Sequence, residues 1–378
     1  MADRVRAAST GSAQLIGFFE RLARPFLRAL DPEDAHSLAI RTLKFAPVRH
    51  AVEADSRLAV RAFGLNFSNP VGIAPGFDKH GEVPDALLGL GFGFVEVGTT
   101  TPRPQAGNPR PRVFRLEADE AVINRLGFNS DGADVVLPRL AARAHRGGIV
   151  GINVGANKDS TDRVADYTRL IEQVAPVASY VTLNISSPNT PGLRELQRAS
   201  AVDDLLARVV EVRDRIAPLA GPTPLLLKVA PDLSLADLDD IVGVARARRI
   251  DGMIVGNTTI SRPPALRDTA KARESGGLSG KPLYPLATRM LAETYVRVEG
   301  AFPLIGVGGI DSGEAALGKL RAGADLIQLY SALVFQGMAL LTEIKAALAD
   351  VLDRGDAEKL SDLVGVDAAA MTAEPWPA

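Results

Sequence analysis

Residues 181–192 read Val-Thr-Leu-Asn-Ile-Ser-Ser-Pro-Asn-Thr-Pro-Gly. The apolar run from Val181 to Ile185 carries Asn184 near its centre, then breaks into Ser-Ser-Pro, a second Asn and Thr-Pro-Gly. An apolar run bounded by Pro and Gly predicts a strand that ends in a rigid polar loop. Asn184 and Asn189 supply amides there, and Ser186, Ser187 and Thr190 supply hydroxyls. That set suits the edge of a small polar ring. Turn serines and threonines also bond their own backbone, so this stretch alone leaves both readings open.

Working outward, short apolar runs alternate with helical patterns, the mark of a parallel α/β fold. The runs are Val71–Ala74, Phe94–Gly98, Ile149–Val154, Tyr180–Ile185, Leu225–Val229, Gly252–Gly256, Leu304–Gly308 and Leu326–Tyr330. Helical patterns follow most of them, including Leu205–Ile216, Leu235–Ala247 and Ala332–Leu352. Eight such units predict a (β/α)8 barrel, whose site gathers at the C-terminal ends of the strands. A doubly wound sheet fits less well, because candidate site residues follow nearly every strand rather than one switch point. The link from Gly98 to Asp131 is too long for an ordinary loop, and extended Arg112–Leu116 and Ala121–Arg125 predict a hairpin lid within it.

The chain has 378 residues, 46% hydrophobic and 23% charged, enough for a full core. A net charge of −2 gives no global field for nucleic acid. The absence of cysteine excludes disulfides, thiolate metal sites and a Cys nucleophile. His36, His50, His80 and His145 lack metal-ligand spacing, so no metal is expected. No apolar run reaches the roughly 20 residues of a membrane span. The N-terminus carries no signal-peptide core, so an intracellular protein is expected.

Residues 1–50 form an expected N-terminal helical extension, 51–354 the barrel and 355–378 a loose tail. Leu15, Phe18, Phe19, Leu22, Phe26 and Leu30 fall on one helical face. Asp31 caps a second helix with Pro32 at its first position. Eight Lys and Arg against five acids flank these patterns within residues 1–50. That suits an interfacial membrane anchor, while two helices packed on the barrel is the alternative.

Five blocks, in order, carry a resemblance: Ala74-Pro75-Gly76-Phe77-Asp78-Lys79, Thr101-Pro102-Arg103-Pro104-Gln105, Asn124-Arg125-Leu126-Gly127-Phe128-Asn129, Leu183 to Arg194, and Gly306-Val307-Gly308-Gly309-Ile310. From about Leu30 to about Asp350 the chain resembles the class 2 dihydroorotate dehydrogenases, the membrane-associated, quinone-reducing form. The resemblance implies oxidation of (S)-dihydroorotate to orotate in de novo pyrimidine (UMP) synthesis, with hydride passing to FMN and electrons to membrane quinone. It implies one noncovalent FMN per chain, a peripheral position on the cytoplasmic face of the inner membrane if the source is bacterial, contact with the bilayer surface and no obligatory protein partner, a monomer being the expected state.

The same resemblance assigns residues. Ser187 is the base that takes the C5 proton, with Thr190 and Phe128 ordering a water path. Gly280, Gly308, Gly309, Tyr330 and Ser331 hold the flavin phosphate and ribityl chain. Lys228 faces the flavin N1/O2 edge, with Thr99, Asn153, Asn184 and Gly256 as further flavin contacts. Pro75, Gly76, Phe77, Asp78 and Lys79 line the flavin from the first strand. Lys79 also meets the substrate carboxylate. Asn124, Asn184, Asn189, Asn257 and Thr258 read the pyrimidine ring, with Arg125, Leu126, Gly127 and Phe128 beside them. His36, Arg115 and Tyr330 line the quinone path. The family pattern often has Thr where Gly256 stands, which leaves that flavin contact to the backbone. Two other readings stay open: the same barrel with fumarate or NAD as acceptor, and a flavin-binding barrel without catalysis.

Overall fold

The computed structural model describes residues 27–45 and 55–377. Eight parallel strands close into a barrel. They are β3 (Val71–Ile73), β4 (Phe94–Thr100), β7 (Ile149–Val154), β8 (Val181–Asn184), β9 (Leu225–Val229), β10 (Gly252–Val255), β12 (Leu304–Val307) and β13 (Leu326–Leu329). Each of the eight predicted runs becomes a barrel strand. Their residues are buried almost throughout, as expected of strands covered on both faces.

A short hairpin, β1 (Val60–Ala62) and β2 (Leu65–Phe67), joins the interior core of the barrel. Phe67 packs edge-on against Phe94, and Phe94 against Tyr180, beside Leu226, Ile254, Ile305 and Leu326. This apolar plug makes the interior a packed core rather than a pore. Glycine on a neighbouring strand makes room for it: a Cβ on Gly151 would lie 2.2 Å from the Tyr180 ring.

The helices α2 (Pro84–Gly89), α3 (Ala133–Ala141), α4 (Arg163–Val174), α5 (Ala199–Ala220), α6 (Leu235–Ala247), α7 (Tyr284–Val298), α8 (Gly313–Arg321), α9 (Ser331–Gln336) and α10 (Ala339–Asp353) complete the barrel. The single helix expected over Ala332–Leu352 is divided into α9 and α10 at Gly337, which takes φ +74°. A helical hydrophobic period continues across such a break and cannot reveal it.

The expected lid hairpin forms, and a third strand extends it into a three-stranded antiparallel sheet. β5 (Val113–Leu116) pairs with β6 (Ala121–Asn124), and β6 with β11 (Gly277–Gly280), which arrives from the loop after β10. The residues after position 354 also depart from expectation. Leu360, Leu363 and Ala368 are buried, and α11 (Ala368–Ala373) packs on α7. Arg289 of α7 donates to the Thr372 carbonyl at 2.8 Å, so the segment is fastened to the barrel.

Before the barrel, α1 (Pro32–Lys44) begins as predicted, with the Asp31 carboxylate accepting from Glu33 N–H at 2.9 Å and Pro32 in the first turn. The apolar face from Leu15 to Phe26 lies outside the described residues; residues 27–29 are helical.

Candidate active site

The C-terminal ends of the barrel strands open into a cavity of about 740 Å³, closed on the far side by the lid sheet and α1. Its floor is a hydrogen-bonded set of side chains from adjacent strands. Thr99 Oγ1 on β4 donates to Asn153 Oδ1 on β7 at 2.6 Å. Asn184 Nδ2 on β8 donates to the same oxygen at 2.9 Å and to Thr99 Oγ1 at 3.1 Å. Asn184 Oδ1 accepts from Ser186 Oγ at 2.8 Å, and Ser186 Oγ accepts from Asn257 Nδ2 at 2.7 Å. Polar side chains meet here because barrel register sets neighbouring strands side by side, Asn184 on β8 opposite Lys228 on β9.

Ser187 is buried yet lines the cavity, and its Oγ accepts from Asn189 N–H at 3.2 Å. Thr190 Oγ1 close behind in sequence is buried without a protein partner. Opposite, Asn189 Nδ2 reaches Asn124 Oδ1 on the lid strand β6 at 3.3 Å. Asn124, Leu126, Gly127, Phe128, Asn257 and Thr258 all line the same cavity. Lys79 enters from the loop after β3 and donates to the Gly76 carbonyl at 2.7 Å. Burial pulls its ammonium pKa down to about 8, against support from the Glu33 carboxylate.

At the other end of the cavity Gly280, Gly308, Gly309 and Ser331 form a turn-lined recess. A Cβ on Gly309 would stand 2.4 Å from the Tyr284 backbone nitrogen, so no other residue fits there. Ser331 Oγ is 2.7 Å from Ser279 Oγ. Bare backbone and paired hydroxyls suit a phosphate. Lys228 projects from β9 into the cavity, and burial lowers the pKa of its amine while Glu96 raises it. An anion-ready recess, an amide floor and a buried amine in one cavity of this size fit a flavin mononucleotide.

Four expected residues stand differently from expectation. Asn153 is the fully buried underside of that floor and reaches the cavity only through Thr99 and Asn184. The Arg125 side chain turns away, to Glu274 at 2.7 Å and to the Pro111 carbonyl at 3.0 Å, over the Phe114 ring, and so ties the lid together. Asp78 lines the cavity, but its buried carboxylate is taken up by the N–H groups of Glu82 and Val83, each at 2.8 Å, at the start of α2. Gly256 does not line the cavity; at φ +119° it packs on the Val307 carbonyl, where a Cβ would come within 2.5 Å.

On the α1 side, His36 lines the cavity with its ring 5.4 Å from Phe77 and 6.4 Å from Tyr330. Burial, with the Lys79 charge adding to it, lowers its pKa to about 3, so the imidazole is neutral. Tyr330 Oη donates to the Gly76 carbonyl at 3.0 Å. Arg115 spends its guanidinium on the Arg28 and Leu30 carbonyls, at 2.6 and 3.1 Å, and thus caps the helix that precedes α1.

Sequence reading gave no role to several residues that build this site. Glu96 accepts the Asn153 amide from below. Asn108 joins the lid to the substrate loop through the Arg125 and Asn189 carbonyls, at 2.9 and 3.2 Å. Arg194 holds the Ser186 carbonyl at 3.0 Å and the Asp232 carboxylate at 2.8 Å. Only Arg194 lay in a quoted motif; Glu96 and Asn108 find Asn153 and Asn189 57 and 81 residues away, and Arg194 finds Asp232 38 residues away.

Residues 57–352 match the family model described as dihydroorotate dehydrogenase. The chain belongs to the dihydroorotate dehydrogenase family. It is 68% identical to the dihydroorotate dehydrogenase (quinone) of Rhodopseudomonas palustris (strain ATCC BAA-98 / CGA009), over 96% of this chain and 100% of that one. It is 67% identical, with the same coverage, to the dihydroorotate dehydrogenase (quinone) of Bradyrhizobium diazoefficiens. The crystal structure of DHODH from Eimeria tenella in complex with ferulenol superposes with a TM-score of 0.85 at 38% identity, covering 89% of this chain and 96% of that one. The barrel, its lid sheet and the α1 side of the cavity are thus read as a dihydroorotate dehydrogenase site.

Proposed function

We propose how the cavity divides the work of its family's reaction among its residues. The chain is an oxidoreductase that converts dihydroorotate to orotate, a step of pyrimidine synthesis, and passes the electrons to quinone. The family carries a flavin; here we take it to be one noncovalent FMN per chain. The recess of Gly280, Gly308, Gly309, Tyr330 and Ser331 would hold its phosphate end, and Pro75, Gly76, Phe77, Thr99, Asn184 and Lys228 its ring. When bound, it supplies the acceptor for the C6 hydride and relays the electron pair.

Asn124, Asn189, Asn257 and Thr258 would grip the pyrimidine ring from the lid and from the loops after β8 and β10. Lys79 would face its carboxylate. Ser187 would take the C5 proton. The Asn189 N–H bond fixes its oxygen while leaving its own hydrogen free to be passed on. Buried Thr190 Oγ1, with no protein partner, supports a role as the next hydroxyl on that path. His36, neutral beside Phe77 and Tyr330, supports quinone entry from the α1 side.

The observation that carries this reading is that Ser187, Lys79, Lys228 and the lid's Asn124 share one cavity. Anaerobic addition of dihydroorotate should bleach the yellow protein, and quinone should restore the colour. Bleaching reversed by fumarate or NAD but not by quinone would overturn the acceptor, and no bleaching would overturn catalysis. Released FMN should equal the chain concentration.

Residues 1–50 are proposed as a docking unit distinct from the barrel at 51–354, with the chain a monomer lying peripherally on the cytoplasmic face of a membrane. Among the described residues no helix is long and apolar enough to cross a bilayer. Exposed Leu38 and Phe45 beside Arg41 and Lys44 support contact with an anionic lipid surface. Flotation with anionic liposomes, weakening at high salt, tests it.

A further inference from the structure

The loop after β8 folds back on itself. The Leu193 N–H donates to the Thr190 carbonyl at 3.1 Å, and the Leu193 side chain is fully buried. That turn brings Arg194 behind the start of its own loop. Its Nε donates at 3.0 Å to the Ser186 carbonyl, the oxygen of the peptide that joins Ser186 to Ser187. Its Nη1 donates to Asp232 Oδ2 at 2.8 Å, on the loop after β9. Its Nη2 donates to the Thr258 carbonyl at 3.3 Å, on the loop after β10. Each guanidinium nitrogen thus serves a different loop.

Asp232 extends the tie. Its Oδ1 accepts from Thr259 Oγ1, and its Oδ2 accepts from the Ile260 N–H at 3.4 Å. Thr259 exchanges two backbone hydrogen bonds, at 2.9 and 2.8 Å, with Leu278 of the lid strand β11. Neither Arg194 nor Asp232 lines the cavity, whereas Ser187, Asn189, Asn257 and Thr258 do. A planar fork held by acceptors in three directions fixes its neighbours more narrowly than an ammonium, a single point on a flexible stem.

We propose that Arg194 and Asp232 are positioning residues of the reaction: from behind the cavity their ion pair holds the peptide that carries Ser187 against the loop that carries Asn257 and Thr258, and so aligns the Ser187 hydroxyl with C5 of the bound ring. This rests on the reading of Ser187 as the base. Neither side chain touches flavin or substrate. Alignment is what the pair supplies, and a displacement of about 1 Å at a reacting group can cost about 10²-fold in rate.

The test uses full-length holoenzyme in the forms R194K, D232N, S187A, R194K/S187A and D232N/S187A, each assayed for FMN content. The readouts are the limiting rate of anaerobic bleaching at saturating dihydroorotate and the rate at which quinone restores the colour. R194K and D232N should each keep FMN and lower the limiting bleaching rate by about 10- to 100-fold. Reoxidation by quinone involves no C5 proton and should be unchanged. In the S187A background the same substitutions should change the bleaching rate by less than about twofold, because the hydroxyl they align is gone. The same factor in both backgrounds would overturn the proposal and leave the ion pair a support of the fold. Full-rate R194K and D232N, or loss of FMN from both, would overturn it too. S187A bleaching at the normal rate would instead remove Ser187 as the base, and the proposal with it, so S187A alone tells the two failures apart.

Discussion

The Arg112 guanidinium on the lid holds the Glu33 carboxylate on α1, with Nη2 2.9 Å from Oε1 and Nε 3.1 Å from both oxygens. The same guanidinium donates to the Ala106 and Asn108 carbonyls, each at 2.7 Å. Asn108 in turn bonds the Asn189 carbonyl. A chain of contacts therefore runs from α1 through the lid to the loop after β8.

Glu33→Ala leaves a nearly buried guanidinium short of its anion, at about 1–3 kcal/mol. Amide hydrogens of 32–44 and 104–112 should exchange about tenfold faster or more, and the KM for dihydroorotate should rise while FMN content holds. Hydrogen exchange read by mass spectrometry checks it. Unchanged exchange in 104–112 would show that the lid does not depend on α1.

Ser187→Ala should keep the flavin and slow its anaerobic reduction by about 10²–10⁴-fold, the usual weight of a positioned base. Ser187→Cys should retain part of the rate with a shifted pH profile, since a thiol ionises more readily. Stopped-flow bleaching reads both. A near-normal Ala variant would send the C5 proton elsewhere.

Lys79 gives a pH dependence of known sign. Burial lowers its pKa to about 8 from 10.5, so the amine is charged below that pH and neutral above it. A substrate carboxylate needs the charged form. The value of kcat/KM for dihydroorotate should therefore fall above about pH 8, by up to tenfold per pH unit, and K79M should be low and flat across the same range. A wild-type profile flat to pH 10 would remove Lys79 from carboxylate binding.

Lys319 on α8 is completely buried, its Nζ without a hydrogen-bond partner over the Tyr284 ring, and burial drives its pKa well below 10.5. For an amine whose pKa is lower folded than unfolded, folding releases a proton at pH values between the two. Stability is therefore lost as pH falls from the unfolded pKa toward the folded one. Lys319→Met should raise Tm at pH 7 by about 2 °C or more, and the gain should shrink toward pH 10. Calorimetric scans at the two pH values decide it; a loss of stability at pH 7 would mean that the amine is satisfied.

The eight barrel strands were legible because strands buried on both faces read as mostly apolar runs, and proline, glycine or polar residues break those runs near the cavity rim. Ser187, Asn189, Asn124 and Lys79 were legible as residues of the motifs that carry the family resemblance, three of them in loops and Asn124 on the lid strand β6. Asp31 and Pro32 announced α1 for the same local reason. The third lid strand, the seating of residues 355–377 and the break at Gly337 were not legible. Each depends on a partner far along the chain or on one backbone angle, and neither leaves a period in the sequence.

By itself, then, the sequence determined the βα alternation, the loops that bear polar groups and the absence of any cysteine chemistry. Tertiary structure alone decided which of those groups meet. Closure of the barrel brings Glu96, Asn153, Tyr180 and Gln328 into one hydrogen-bonded layer although they lie on four different strands or strand ends. It turns Arg125 outward to the lid and sends Arg115 to a helix end. The physical reason is that a strand's apolar pattern encodes burial, which is local and additive, whereas a buried polar group is stable only with a mate, and barrel register chooses the mate.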